Sequence, residues 1–182
     1  MNEEKFRAEL YRHLMNRLEE YKDQGIDLEI EDRGPMQKYG KATIGRADLV
    51  IYKNEEPILI IETKPKDSQL AAAVTQVYRY GFLFGMSDEY FVAVCSPATL
   101  KIYKYDMELG NAANETPIEA DGGFYIENGV VVFSWEKESE KRLVRGHTFD
   151  NLDSISKIAS TIIDFLKDQD ILTEKSIKLK IS

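Results

Sequence analysis

Over residues 3–22 the apolar positions Phe6, Leu10, Leu14, Leu18 and Tyr21 return at helical spacing, and Gly25 closes the element. The next segment, IDLEIE at 26–31, alternates strictly and predicts a half-buried strand. Residues 32–46 contain Gly34, Pro35, Gly40 and Gly45 and read as a loop. Two apolar runs follow, ADLVIYK at 47–53 and PILIIET at 57–63, joined by a turn at Asn54, Glu55 and Glu56. Runs without alternation suit strands covered on both faces. Pro65 ends the second run, and a helix rich in Ala and aromatic residues is predicted over 68–84. Strands are predicted at 90–95 and 99–105 around a Ser96-Pro97 turn. Residues 106–121 carry five acids and no base and read as a solvated excursion. In GFYIENGVVVFSW, 123–135, Asn128-Gly129 between apolar runs signals a hairpin. Leu152, Ile155, Ile158, Ile162, Phe165 and Leu166 mark a last amphipathic helix over 152–167. The order αβββαββ, then hairpin and helix, predicts one α/β domain over residues 1–182 around a mixed central sheet.

Composition narrows the setting. The 182 residues suit one domain of ordinary size, and 43% apolar with 31% charged residues is a globular balance. With Cys95 the single cysteine, an internal disulfide and a Cys-built zinc site are both excluded, which leads us to expect a reducing, cytoplasmic compartment. No apolar run approaches the roughly 20 residues that span a bilayer, so no membrane is expected. Phosphate-loop, nucleophile-elbow, HExxH and GxGxxG signatures are all missing from the sequence. The net charge of −8 stands against a nucleic-acid partner. One segment runs the other way: 33–46, RGPMQKYGKATIGR, holds four bases and no acid.

The candidate chemistry lies in 45–64, GRADLVIYKNEEPILIIETK. In a hairpin turning at Glu55, Asp48 and Glu62 fall opposite each other, with Cβ atoms about 5 Å apart. Two facing carboxylates repel unless something compensates them. Side chains alternate along a strand, so Glu62 and Lys64 share a face and Thr63 points away. Acids and a lysine at strand ends often do no more than solubilise the edge. The alternative is a site for a hard divalent cation, which takes oxygen ligands, with Lys64 orienting or helping to deprotonate a water or neutralising phosphoryl charge. Cys95, in FVAVC, reads as a core residue.

The spacing D-x13-E-T-K behind an αβ unit resembles the metal-dependent PD-(D/E)xK nuclease superfamily, whose core is αβββαβ. Ala47 stands where that pattern has proline. Gln76 and Tyr80 on the next helix, spaced Q-x-x-x-Y, resemble the motif of the N-terminal nuclease domain of type I restriction enzyme R subunits and of RecB-like nucleases. GRADLVIY and IIETKP resemble the same domain, and the likeness covers residues 3–105. It implies a restriction-endonuclease-like fold and a Mg²⁺-dependent deoxyribonuclease, with Mn²⁺ as a substitute. Asp48, Glu62 and the Thr63 carbonyl would be metal ligands and Lys64 the catalytic lysine. Gln76 and Tyr80 would contact the phosphate region or hold Lys64 and DNA in place.

The resemblance also implies a glutamate from the first helix. Glu3, Glu4 and Glu9 are candidates, and Glu3 falls at the middle of the apolar stripe and is taken. Arg7, one turn on, is placed to pair with Glu3 or to meet a phosphate. In the loop ahead of Asp48, Arg33, Lys38, Lys41 and Arg46 are candidate DNA contacts. Partners beyond DNA, whether other restriction or repair subunits or a second copy in a homodimer, stay open. So does the rival reading, a catalytically silent nuclease-fold module that binds DNA or a protein.

Overall fold

Helix α1, Glu3–Leu18, is capped by Asn2, whose side chain accepts from the Lys5 backbone N–H at 2.8 Å. It buries Phe6, Leu10, Leu14 and Leu18, as the spacing predicts, and runs on into a 3-10 turn at Glu19–Gln24. Gly25 then turns the chain at φ 76°, and a Cβ there would collide with the Asn54 side chain, so glycine is required on both counts. The computed structural model describes residues 1–32, 46–114, 124–150 and 152–174.

Strand β1, Ile26–Asp32, pairs antiparallel with β2, Ala47–Lys53, and β2 with β3, Glu56–Thr63. Asn54 and Glu55 take φ of 52° and 70°, the left-handed geometry of a tight two-residue hairpin turn. A 3-10 turn at Asp67–Gln69 opens α2, Leu70–Leu83, which crosses over to β4, Phe91–Cys95. Strand β4 is parallel to β3 and antiparallel to β5, Thr99–Lys104. The edge is β8, Leu143–Thr148, which completes the order β1-β2-β3-β4-β5-β8. The result is the mixed central sheet that the sequence predicts.

Both faces of the sheet are covered, which is why β2, β3 and β4 read as unbroken apolar runs. Leu49, Ile51, Leu59, Ile61 and Ala93 face α1 and the last helix, α5, Ser154–Asp168. Val50, Ile60, Val92 and Val94 face the opposite way, onto Ala73, Val77 and Tyr80 of α2. Arg17 ties α1 to α5 through Ser156 at 2.8 Å and Ser160 at 3.2 Å.

Three parts differ from expectation. Residues 107–114 are not a solvated excursion but a helix, α3 (Met107–Asn114), which buries Leu109 and Ala113 against the α2 side. The acids of this stretch mask an apolar stripe at helical spacing, and Asp106 caps its start. The hairpin β6, Phe124–Glu127, and β7, Val130–Phe133, forms as predicted, with Asn128 and Gly129 left-handed, as a two-stranded sheet added to the central one. Ser134 and Trp135, read as strand, instead open α4, Ser134–Glu140, and bury Trp135. Strand β8 escapes the sequence pattern because its residues are half-buried or exposed along their length.

Candidate active site

The β2–β3 ladder ends at the pair Leu49–Ile61. One residue further the strands part, and side chains take over the backbone bonds. Glu62 Oε1 accepts from the Asp48 backbone N–H at 3.1 Å. Asp48 Oδ2 accepts from both the Thr63 backbone N–H and the Thr63 hydroxyl at 2.8 Å. Asp48 is therefore knotted to two successive residues, its N–H to Glu62 and its carboxylate to Thr63, so Thr63 turns its hydroxyl to Asp48 and does not point away from it as strand alternation predicts. Both are buried, at 8% and 3% exposure, against the 0% of Thr63. Burial, and then the Asp48 charge, push the Glu62 carboxyl well above its ordinary value, while the Asp48 N–H and Lys64 oppose the shift. Burial pushes the Cys95 thiol up too, as befits the core residue expected there.

Lys64 leaves the sheet immediately after the knot. Its backbone N–H bonds to the Cys95 carbonyl at 2.9 Å, and its ammonium lies 3.8 Å from Glu3 Oε1. Asp67 accepts from the Ser96 hydroxyl and, at 3.0 Å, from the Thr99 hydroxyl, which fastens the start of α2 to the β4–β5 turn. That fastening sets α2 over the knot. Tyr80 is buried, and its hydroxyl is pushed up to about 12, by burial first and then by the Glu62 and Asp48 charges. Gln76, one turn earlier, has a buried Oε1 with no hydrogen-bond partner and lines a cleft of about 880 Å³ with Arg79, Tyr103 and Trp135.

The structure thus brings Asp48, Glu62, Thr63, Lys64 and Tyr80 to one end of the sheet, with Glu3 beside Lys64. Arg46 is half-exposed and lies 3.5 Å from Glu31. Arg33, Lys38 and Lys41 lie outside the described residues. Arg7 meets neither Glu3 nor open solvent. Its guanidinium donates to Glu31 Oε1 at 2.6 Å and to Asp48 Oδ1 at 3.3 Å. The sequence reading passes over Glu31 altogether. Its place opposite Asp48 depends on the β1–β2 register, which no short turn fixes in the sequence.

Among the described residues no three His, Cys, Asp or Glu side chains gather as an ion site. The two carboxylates of the knot and the adjacent Thr63 backbone nonetheless make an all-oxygen donor set of the kind a hard cation takes. The raised Glu62 also marks a place where added positive charge relieves an existing penalty.

The sequence matches no family model and no curated protein. The chain is similar in fold to the crystal structure of the type IIG restriction endonuclease BpuSI, at TM-score 0.53 and 14% identity. The match covers 96% of this chain and 18% of that one, so this chain spans under a fifth of that neighbour's length. The fold is accordingly restriction-endonuclease-like.

Proposed function

We propose that this chain is a divalent-metal-dependent deoxyribonuclease domain, similar to the nuclease domain of type I restriction enzyme R subunits. The observation that carries the reading is the buried Asp48–Glu62–Thr63 knot with Lys64 emerging directly from it. Asp48, Glu62 and the Thr63 carbonyl would hold the ion, Mg²⁺ or in its place Mn²⁺. A cation there supplies phosphoryl charge stabilisation and a nucleophilic water at neutral pH. The chain's own residues do the rest. Lys64 presents an ammonium to the charge that develops as water oxygen adds to phosphorus and the P–O ester bond breaks. Tyr80, which feels the Glu62 and Asp48 charges, would steady the phosphate region, and Gln76, one turn earlier on α2 in the cleft with Trp135, would hold the DNA beside it. Thr63 keeps Asp48 in one rotamer through two bonds to the same oxygen.

A second reading, a nuclease-fold module that binds DNA or a partner without cutting, draws on the Arg7 guanidinium that leans on Asp48. Plasmid cleavage in Mg²⁺ or Mn²⁺ separates the two. The nuclease reading expects nicking or linearisation by the wild type and a loss of at least about 10²-fold in Lys64→Ala and Asp48→Ala. Equal behaviour of all three overturns it, and DNA retention without cleavage favours the second reading.

A further inference from the structure

The row of carboxylates at this end of the sheet is one strand longer than the knot. The pairs Ile30–Leu49 and Asp32–Ala47 flank Glu31, so Glu31 stands level with Asp48. Glu31 is left-handed, at φ 52°, within a strand, a conformation sparsely used by residues with a Cβ. In that conformation its carboxylate meets Arg7, whose side chain is only 14% exposed.

The two bonds of Arg7 are unequal. It is 2.6 Å from Glu31 and 3.3 Å from Asp48. A charge-assisted bond of the shorter length is strong, while the longer one is stretched. Glu31 therefore holds the guanidinium firmly, and Arg7 leans on Asp48 loosely. The contact falls on Oδ1, the Asp48 oxygen that Thr63 leaves free. A cation reaching Asp48 would face both the Arg7 charge and competition for that oxygen. It has only the longer contact to break.

We propose that Arg7, steered by Glu31, is a positioning residue that holds Asp48 in the metal-free chain and sets how tightly Asp48 takes a divalent cation. The inference rests on the metal-dependent reading of the same site. Arg7 limits affinity by its charge and its hold on Oδ1. Glu31 raises affinity by drawing Arg7 away.

The test is Mn²⁺ binding to the full chain without DNA, followed by the electron paramagnetic resonance of free Mn²⁺. Arg7→Met is expected to bind about tenfold more tightly, and Glu31→Gln about tenfold more weakly. The double variant is expected to match Arg7→Met within about twofold, since Glu31 acts through Arg7. A purely structural pair predicts weakening in both single variants, and that result overturns the proposal. So does a Glu31→Gln effect that persists undiminished beside Arg7→Met. Should Arg7→Met fail to fold by circular dichroism, Arg7→Lys keeps the charge without the fork and is expected to tighten binding while Glu31→Gln weakens it. No change in Arg7→Lys then counts against the proposal. Asp48→Ala separates the two layers. If it abolishes Mn²⁺ binding while Arg7 and Glu31 variants change nothing, only this inference fails. If wild type and every variant bind no Mn²⁺, the metal reading fails and takes the inference with it.

Discussion

Burial and the adjacent Asp48 hold the Glu62 carboxyl well above the usual carboxylate range. That shift has a consequence for stability. Between 4.5, the ordinary value, and the raised folded one, the folded chain keeps a proton that the unfolded chain has released. Stability from this group is then lost as pH rises through that window. Glu62→Gln should flatten the loss. Urea unfolding in a chelator across a pH series checks it, and identical profiles for the two chains would count against a stressed carboxyl. Addition of Mg²⁺ at neutral pH should raise the wild-type midpoint and leave Glu62→Gln largely unmoved. Asp48 and Glu62 were legible in the sequence as a facing pair about a turn centred on Glu55, but the turn is Asn54-Glu55 alone, with Glu56 already in β3, and it is the bulge between Ile51 and Tyr52 that restores the register ending at Leu49–Ile61. The bonding of Asp48 to both Glu62 and Thr63 was not legible, since it begins where the ladder ends. Glu31 and the seat of Arg7 were not legible either, because β1 and β2 are far apart in sequence and no short turn sets their register.

Elements with strong periodicity were the ones the sequence announced. Helices α1 and α5 repeat their apolar residues at helical spacing, and strands β2, β3 and β4 stand out instead as unbroken apolar runs. Helix α3 shows what defeats that reading. Met107-Glu108-Leu109-Gly110 looks polar beside the acids that follow, yet Asp106 Oδ1 accepts from the Glu108 and Leu109 N–H groups at 2.9 and 3.3 Å. This is an N-cap, and its other oxygen accepts from Arg142 at 2.8 Å, so one aspartate ties α3 to the turn after α4. Burial pushes its carboxyl up, but the Arg142 bond and the two backbone N–H groups outweigh it and leave it below the ordinary value. Asp106→Ala should cost about 1–2 kcal/mol of stability. The contribution is full above 3.8 and is lost as pH falls through the lowered folded value. Denaturant midpoints of wild type and variant should therefore converge in acid. A gap that stays constant into acid would show that the cap's charge contributes nothing.

At the scale of the molecule, the sheet carries a core on each face and opens the knot at one end, between α1 and α2. Glu3 and Arg7 reach that end from one side, and Tyr80 from the other. The charge of −8 bears on what can approach it. Five acids lie in 106–121, while 33–46 is purely basic, so the excess is distributed and not uniform. A cation on Asp48 and Glu62 would cancel more of it at the knot itself. If the four bases Arg33, Lys38, Lys41 and Arg46 supply the phosphate contacts, log K for a short duplex should fall with log salt at a slope of roughly −3.6, about −0.9 per contact. Fluorescence anisotropy with Lys64→Ala, which leaves the duplex intact, measures that slope. Arg46→Gln in the same background should make it shallower by about 1. Mg²⁺ should tighten binding by neutralising the buried acids, with little change in slope. A slope near zero, or one that Arg46→Gln leaves unaltered, would move the interface away from residues 33–46. Weak binding at physiological salt is the expected consequence of so few contacts against a net negative chain. Productive cleavage would then depend on something that delivers the DNA, whether a further domain, another subunit or a second copy.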